Sequence, residues 1–380
     1  MPTFKYARAS GGIGGDCTEL KCIKCNTTYP YEINRHNCPK CNDIKFSNLF
    51  VVGGHKNGGG PELPYGKKFV KNLPSGSTPL RKSAALSSAY GIRNLLVKDE
   101  SYNPYGTHKD RRSEMIVNIA LEQDVDKIVC LTAGNSGYSL SRYCYAAGID
   151  YTSFFFPDTA SETRRRSLRE WGKAVELQVD EEDWRGILKY RDFAQVAKEY
   201  DLWERGKSWN KVWNVTNTFE PASLAAYKAL AYEIAESKPD RIVLPVGTAD
   251  LLVGVWMGLR ELELNTQIVG AVPKDGNAFV PAFKARNDEL ILDSYDGSSK
   301  AEKLISPYCA MLPFTNRMLK DGHSLLEFTN DDLEAAKKNA AEAGLKCEYS
   351  ALAAFAILPQ LDVKEHERVV VVSTGLGLTN

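Results

Sequence analysis

Four cysteines near the start of the chain have the spacing of a metal site. Cys22 and Cys25 enclose two residues, Cys38 and Cys41 enclose two more, and twelve residues separate the two pairs. Each Cys-x-x-Cys pair forms a tight turn that directs two thiolates at one ion, and two such turns complete the tetrahedral shell of four sulfurs that Zn²⁺ prefers. A four-sulfur shell leaves no open position, so the predicted zinc is structural. Disulfide formation or redox chemistry is the alternative.

A dense cluster of charged and turn-forming residues surrounds Lys109. The segment 98–112 reads KDESYNPYGTHKDRR. An amine at the start of a helix, beside an anion and a neighbouring arginine, can act as a nucleophile. Lys109 is therefore the first candidate for a catalytic residue, and the alternative is a surface lysine in a charged loop.

Three further loops combine glycine with small polar residues. Segment 132–139 reads TAGNSGYS, segment 245–252 reads PVGTADLL, and segment 373–378 reads STGLGL. The first two lead into predicted helices, and the N–H groups at a helix N-terminus suit an anion. Each loop follows a predicted strand, and in parallel sheets ligands bind at the carboxyl ends of the strands. We therefore expect the three loops and Lys109 to form one site.

Strand and helix patterns alternate from about residue 94 onward. The predicted strands are Leu95–Lys98, Lys127–Thr132, Tyr151–Phe156, Ala174–Gln178, Arg241–Pro245, Gln267–Val272 and Arg368–Ser373. The predicted helices are Asp110–Gln123, Ser136–Ala147, Ala160–Trp171, Trp184–Tyr200, Ala222–Glu236, Leu251–Leu262, Asn330–Ala343 and Ser350–Leu358. This alternation predicts an α/β fold with parallel sheets. The polar stretch Asn287–Lys303 predicts an insert-like loop.

Composition excludes several classes of protein. The 380 residues are 43% hydrophobic, which is enough for two or three domains with large cores. The 48 basic residues balance the 48 acidic ones, which argues against a broad nucleic-acid-binding surface. The sequence has no apolar run of membrane-spanning length and no apolar secretion signal at its start. We expect a cytoplasmic protein that binds neither membrane nor nucleic acid.

Taken together, these segments resemble the fold-type II pyridoxal-phosphate enzymes, and threonine synthases in particular. In that family the lysine segment reads close to K-D-E-x-x-N-P-T-G-S-F-K-D-R, the next loop S-x-G-N-[ST]-G, and the last loop T-G-x-G. The resemblance implies two parallel-sheet α/β domains with the cofactor between them, plus a small N-terminal zinc ribbon with four cysteine ligands. It assigns residues 1–50 to the ribbon and leader, 51–115 and 206–380 to a large cofactor-binding domain, and 116–205 to a small substrate-binding domain.

The resemblance also implies roles for individual residues. Lys109 forms the Schiff base with pyridoxal 5′-phosphate and acts as the catalytic base, while Thr374 faces the pyridine nitrogen. Asn135 contacts the ring oxygen of the cofactor, and Glu348 matches a recurrent glutamate near the active site. The cofactor phosphate is bound by the backbone of Gly247, Thr248 and Ala249.

Substrate binding is assigned in the same way. The residues implied in it are Thr132, Asn135 and Ser136, and the candidate cations for a phosphorylated substrate are Arg111 and Arg165. The sequence departs from the family pattern near these positions. The residues that differ from the usual ones are His108, Arg112, Tyr138, Asp250 and Leu251.

The resemblance favours a lyase or synthase of amino-acid biosynthesis. The best single prediction is a threonine synthase, which converts O-phosphohomoserine and water to threonine and phosphate. The alternatives are β-replacement on O-phosphoserine with sulfite, as in cysteate synthase, and a serine or threonine ammonia-lyase. A binding or regulatory protein built on the zinc ribbon is the non-enzyme alternative. Family members are often homodimers, so we expect a homodimer.

Overall fold

A computed structural model describes residues 18–42, 47–53, 55–56, 62–63, 73–132, 134–155, 162–176, 211–216, 219–284, 296–306 and 310–377. The predicted helix Trp184–Tyr200 and most of the predicted loop Asn287–Lys303 lie outside these residues. Along the described part of the chain, strands and helices alternate as the sequence predicts.

The described strands are, in chain order, β1 (Glu19–Cys22), β2 (Thr28–Pro30), β3 (Leu49–Val52), β4 (His55–Lys56), β5 (Glu62–Leu63), β6 (Leu80–Lys82), β7 (Asn94–Asp99), β8 (Lys127–Leu131), β9 (Asp150–Phe155), β10 (Lys173–Glu176), β11 (Val212–Asn214), β12 (Arg241–Pro245), β13 (Gln267–Pro273), β14 (Ser324–Phe328) and β15 (Arg368–Ser373).

The described helices are α1 (Ala84–Tyr90), α2 (Lys109–Glu122), α3 (Asn135–Ala147), α4 (Glu162–Trp171), α5 (Pro221–Ala235), α6 (Asp250–Glu261), α7 (Phe279–Lys284), α8 (Leu312–Lys320), α9 (Asn330–Glu342) and α10 (Tyr349–Ala356). Short 3-10 turns occur at Glu100–Tyr102, Glu302–Leu304 and Leu358–Gln360.

The larger sheet has six strands in the order β14-β13-β12-β15-β7-β6. All neighbours are parallel except β6, which runs antiparallel to β7 at the edge. The central strands are runs of buried Val, Ile and Leu, as parallel strands covered by helices on both faces require. The carboxyl ends of β7, β12 and β15 meet at one edge, and the loops that follow these strands include Lys109 and both glycine-containing loops of this sheet.

The smaller sheet has four parallel strands in the order β10-β9-β8-β11. Strand β11 lies after residue 206, where the sequence predicts the large domain to resume, but it pairs with β8 of the smaller sheet. The chain therefore adds this strand to the smaller sheet before it continues into the larger one. A three-residue strand is too short to be recognised from its sequence. The division into domains remains a prediction.

Helices α5 and α6 pack unusually closely because α6 has glycine at the contact. A Cβ atom on Gly254 would lie 2.5 Å from Cβ of Tyr227, and one on Gly258 would lie 2.8 Å from the carbonyl oxygen of Lys228. Real Cβ atoms do not approach other atoms so closely, so only glycine permits this spacing. The contact fixes the N-terminus of α6 beside the buried ring of Tyr227.

The N-terminal ribbon is a three-stranded antiparallel sheet in the order β2-β1-β3. It contacts the smaller sheet through the side chain of Asn34, whose amide bonds the backbone of Val212 and Asn214 at 2.8 Å. It also contacts helix α8, where the rings of Phe50 and Phe314 meet edge to face at 6.1 Å. The ribbon therefore contacts both the smaller sheet and helix α8.

All seven predicted strands are present within one or two residues of their predicted ends, and so are the seven predicted helices that fall on described residues. The sequence missed β6, β11 and β14, which are short or carry charged residues at an edge, and the short helices α1, α7 and α8. Among the residues that the structure describes, no helix is long and apolar enough to cross a membrane.

Candidate active site

Four largely buried charges hold the segment that precedes Lys109. The Arg111 guanidinium binds Glu100 at 2.6 and 2.8 Å and Glu233 at 2.7 and 2.8 Å. Lys98 completes the group by an ion pair of 2.6 Å with Glu233. The strand that ends at Asp99, helix α2 and helix α5 each contribute, so this charge quartet ties the three elements together.

The quartet is balanced, with two cations and two anions, and its carboxylates stay ionised. Burial alone would raise the pKa of Glu100, but the Arg111 guanidinium holds it below its usual value. Burial also acts to raise the pKa of Glu233, but Arg111 and Lys98 outweigh this effect and lower the pKa to about 2. Paired and hydrogen-bonded buried charges are costly to separate, because removal of one partner leaves the other uncompensated.

Lys109 is the first residue of α2, and its amine points to the start of α6. The Nζ atom lies 2.8 Å from Oδ2 of Asp250 and 5.4 Å from the centre of the Tyr227 ring. Burial would raise the pKa of Asp250, but the Lys109 ammonium keeps it below the usual value. In this structure the two residues form a buried ion pair at the junction of two helix N-termini.

The loop before α6 is a tightly held turn. Ala249 adopts a left-handed conformation with φ of 68°, which is uncommon for a residue other than glycine. A Cβ atom on Gly247 would lie 2.8 Å from the carbonyl oxygen of Lys303. The Asn277 amide bonds the carbonyl oxygens of Gly247 at 3.2 Å and Leu304 at 3.1 Å, which holds the two segments together.

The C-terminal loop packs directly on the lysine segment. The carbonyl oxygen of Thr374 accepts a bond of 2.9 Å from the backbone N–H of His108 and lies 3.1 Å from Nδ1 of its ring. Because a carbonyl only accepts, this nitrogen must carry the proton of a neutral imidazole. Burial and the adjacent Lys109 ammonium lower the pKa of His108 to about 3.

Close approach of these two segments again requires glycine. A Cβ atom on Gly375, whose φ is 154°, would lie 2.5 Å from the carbonyl oxygen of Gly106. A Cβ on Gly377 would lie 2.7 Å from Oε2 of Glu348. The T-G-x-G pattern thus lets the last loop pass between the lysine segment and Glu348.

Asp110 connects α2 to α3. Its carboxylate accepts bonds of 2.6 Å from the backbone of Tyr105 and 2.5 Å from the hydroxyl of Ser139. Burial raises the pKa of Asp110 to about 7, although these bonds oppose the shift. The hydroxyl of Ser139 also lies 2.7 Å from that of Ser113, so the two helices meet through a buried polar contact.

The start of α3 carries the predicted substrate loop. The amide of Asn135 donates to Oε1 of Glu348 at 2.8 Å, and its oxygen accepts from Nζ of Lys303 at 3.2 Å. Lys303 and Glu348 form an ion pair. The hydroxyl of Thr132 accepts from the backbone N–H of Gly137 at 3.2 Å, which shapes the turn.

Arg112 lies beneath this loop and is fully buried. Its guanidinium donates to the hydroxyls of Ser136 at 3.2 Å and Ser223 at 2.8 Å and to the carbonyl oxygen of Val215. All three acceptors are neutral. The cation therefore contributes positive potential directly below the N-terminus of α3, which adds to the potential of the helix dipole.

The structure joins the predicted site residues into a closed series of contacts. Lys109 touches Asp250 of the α6 loop, that loop is fixed to the Lys303 segment, and Lys303 meets Asn135 and Glu348. The backbone N–H of Glu348 donates to Gly375 at 3.2 Å, and the neighbouring Thr374 returns to the lysine segment. The roles of Lys109, Asn135, Thr374 and the α6 loop remain predictions, and the geometry supports them.

The two arginines predicted to bind substrate are each paired with carboxylates. The guanidinium of Arg111 is occupied by the charge quartet and is 3% exposed. Arg165 pairs with Glu176 at 2.9 Å on the outer strand of the smaller sheet. Their contacts argue against the predicted role. Sequence reasoning missed Lys303, because the polar, aperiodic stretch around it gives no signal of a binding residue.

The four cysteines of the ribbon converge on one point. Their Sγ atoms all lie within 4.8 Å of one another, with Cys22 to Cys41 at 3.7 Å and Cys25 to Cys38 at 3.6 Å. Tetrahedral zinc with bonds of about 2.3 Å places neighbouring sulfurs about 3.8 Å apart. A disulfide requires about 2.05 Å, so the geometry fits a shared metal and not a disulfide.

Several proteins of known function are similar to this chain. The pattern of the family described as pyridoxal-phosphate dependent enzyme matches residues 72–375. The threonine synthase of Methanosarcina acetivorans is 26% identical over 388 residues, covering 94% of this chain and 91% of that protein. The threonine synthase of Methanocaldococcus jannaschii is 27% identical over 326 residues, covering 81% and 76%. Cysteine synthase B of Salmonella typhimurium is 30% identical over 236 residues, covering 60% and 73%.

Solved structures share the fold at low identity. Maize serine racemase superimposes with a TM-score of 0.65 at 16% identity, covering 80% of this chain and 88% of its own. The processed form of threonine deaminase isoform 2 from Solanum lycopersicum gives 0.65 at 15% identity, covering 84% and 88%. The predicted α/β architecture of fold-type II is thereby confirmed.

Replacement of Arg111 separates a structural role from a substrate-binding one. We expect Arg111→Met to lower the free energy of unfolding by about 3–5 kcal/mol, because Glu100 would be left buried and unpaired and Glu233 would lose one of its two cations. The control Arg165→Met breaks a partly exposed pair and should cost at most about 1 kcal/mol. Urea unfolding of both variants measures the difference. Equal free energies of unfolding for the two variants would show that Arg111 does not stabilise the fold through the charge quartet.

The neutral state of His108 predicts a dependence of stability on pH. Its pKa is lower in the folded chain than the usual value of about 6.5, so the unfolded state takes up a proton that the folded state excludes as the pH falls below that value. This proton uptake lowers the free energy of unfolding by about 2 kcal/mol at pH 5 relative to pH 7.5. His108→Phe should lose that much less stability between the two pH values. Identical slopes for the variant and the unchanged protein would contradict a buried neutral imidazole.

Proposed function

The chain belongs to the family of pyridoxal-phosphate dependent enzymes, and we propose that it acts on a phosphorylated amino acid, as a threonine synthase does. The best single candidate for its reaction is the conversion of O-phosphohomoserine and water to threonine and phosphate. The observation that carries the proposal is the pair of cations, Lys303 and Arg112, that converge on the N-terminus of α3 next to the predicted cofactor site.

The residues present fit pyridoxal 5′-phosphate. The amine of Lys109 would hold the aldehyde carbon, the backbone at the start of α6 would bind the phosphate, and Thr374 would face the ring nitrogen. The turn at Gly247 is closed by the Lys303 backbone so tightly that a side chain would not fit, as expected of a cradle built from main-chain groups. The carboxylate of Asp250 is the one unfavourable group, and its pairing with Lys109 offsets its charge.

When bound, the cofactor supplies the electron sink for chemistry at the carbons next to the substrate's amino group. The chain supplies the rest. The amine of Lys109 can take a proton from the substrate's α-carbon and return one, with the Asp250 carboxylate 2.8 Å from Nζ to orient the amine. The N–H groups at the start of α3 and the hydroxyls of Thr132 and Ser136 would hold the substrate carboxylate.

Neutral Thr374 favours elimination and replacement over transamination. A hydroxyl opposite the ring nitrogen does not hold that nitrogen protonated, as a carboxylate would. Thr374 is buried and its carbonyl oxygen accepts a bond from the backbone N–H of His108, so its backbone is held against the lysine segment. This agrees with a replacement or elimination reaction and leaves the alternatives as β-replacement on O-phosphoserine with sulfite and deamination of serine or threonine.

An assay of phosphate release distinguishes these reactions. We expect the enzyme to release phosphate from O-phosphohomoserine and to form threonine, with the activity lost in Lys109→Ala because that variant has no amine to move the protons. Parallel reactions with O-phosphoserine, with and without sulfite, test β-replacement, and serine and threonine alone test deamination. Turnover of O-phosphoserine but not of O-phosphohomoserine would contradict the threonine synthase proposal and support the sulfite-dependent alternative.

We propose that the ribbon holds a structural Zn²⁺ between Cys22, Cys25, Cys38 and Cys41. The spacing of the sulfurs supports it, and so does the hydroxyl of Tyr29, which lies 3.1 Å from Sγ of Cys38 as a hydrogen-bond donor to a thiolate would. Because the ribbon contacts both β11 and α8, the metal would stabilise the junction of the two sheets.

Metal analysis tests the zinc proposal directly. We expect one zinc per chain, and Cys38→Ser should lose most of it together with some stability, since the buried thiolate would be missing from the shell. The control Cys130→Ser removes a buried thiol that is not one of the four proposed ligands, and this variant should retain the metal. Absence of zinc from the unchanged protein would refute the proposal.

A further inference from the structure

Lys303 brings a cation to the loop that starts α3. It lies in the turn Glu302–Leu304, and its Nζ bonds Oδ1 of Asn135 at 3.2 Å. Its Cε would lie 3.9 Å from a Cβ on Gly134, so the side chain reaches across the mouth of that loop. The ammonium is therefore within reach of any anion that the N-terminus of α3 binds.

The backbone of Lys303 is held in place independently of its side chain. The carbonyl oxygen closes over Gly247, and the Asn277 amide bonds the carbonyls of both Gly247 and Leu304. Asn277 is itself buried, so this attachment is rigid. Lys303 thus stands between the turn suited to the cofactor phosphate and the loop suited to the substrate.

Among the residues that the structure describes, the arginines considered above for this role are engaged. Arg111 is bound by two carboxylates, Arg165 by Glu176, and Arg112 is fully buried beneath Ser136. Lys109 is needed for the cofactor. The side chain of Lys303 is 20% exposed and that of its partner Glu348 is 16% exposed, so this ion pair can open to a ligand without exposing a buried charge to an apolar core.

We propose that Lys303 binds the phosphate group of the substrate and thereby selects phosphorylated amino acids. This inference rests on the proposed function in that it takes the substrate to be a phosphate monoester. A phosphate dianion carries more charge than the Glu348 carboxylate, and it displaces that carboxylate from the ammonium. Glu348 keeps its bond to the Asn135 amide. As the phosphate leaves, the ammonium stabilises the charge that develops on its oxygen.

The cofactor's own phosphate is a second source of the same chemistry, because the Lys303 backbone also touches Gly247. The two sources predict different losses. A cation for the substrate affects binding of inorganic phosphate to the cofactor-loaded enzyme and the KM for the phosphorylated substrate. A cation for the cofactor affects the affinity of the apoenzyme for pyridoxal phosphate. The position of Nζ against Asn135, on the substrate loop, favours the first.

The test is calorimetric titration of the cofactor-loaded enzyme with inorganic phosphate. Lys303→Gln should weaken phosphate binding about tenfold to a hundredfold, as removal of a charge-assisted hydrogen bond does, with unchanged affinity for pyridoxal phosphate. Lys303→Arg should restore part of the loss. The matched control is Lys300→Gln in the same segment, whose exposed ion pair with Glu334 lies away from the loop, and it should bind phosphate normally.

A second variant tests the exchange of partners. Glu348→Gln removes the anion that competes for Lys303, so it should bind inorganic phosphate several-fold more tightly. The inference is overturned if the unchanged enzyme binds no phosphate, if Lys303→Gln and Lys300→Gln bind it equally, or if the loss falls on the cofactor. If phosphate binding depends on Lys303 but O-phosphohomoserine is not turned over, the proposed reaction is wrong and the role of Lys303 stands.

Discussion

The position of Lys109 depends on a buried balance of charge. Arg111, two residues along the same helix, is bound on both sides by carboxylates, and Lys98 neutralises the second of them. Because each member would be costly to bury alone, the four charges hold β7, α2 and α5 in one arrangement. The loop between β7 and α2 then has little conformational freedom, and the Lys109 amine lies at the N-terminus of α6.

From that fixed point the site is assembled by close backbone contacts. Glycine at 375 and 377 lets the last loop reach the lysine segment, and Gly247 lets the Lys303 turn close over the start of α6. The side chains that differ from the family pattern lie within this assembly. His108 is neutral against Thr374, and Asp250 pairs with Lys109. These residues change the charges within the site, while the glycines of the family's motifs are present where the segments approach most closely.

The sequence predicted the architecture well because the central parallel strands are short runs of buried Val, Ile and Leu, and because the four loops at the strand ends have distinctive compositions. It predicted the place of Lys109 and of Asn135 for the same reason. It could not show the contacts of Arg111, since a motif arginine reads the same whether its partners are Glu100 and Glu233 or a substrate. Lys303 could not be identified from the sequence, because its position depends on Asn277, whose amide holds the turn of Lys303 against Gly247. Contacts between residues so far apart leave no local pattern.

Chemical trapping shows whether Lys109 carries pyridoxal phosphate. Borohydride reduction of the protein with its cofactor fixes the cofactor to the lysine that holds it, and mass spectrometry of the peptides then locates the modified residue. We expect one pyridoxyl group per chain, on the peptide that contains Lys109. A group on Lys303 or on another lysine, or no modification at all, would contradict it.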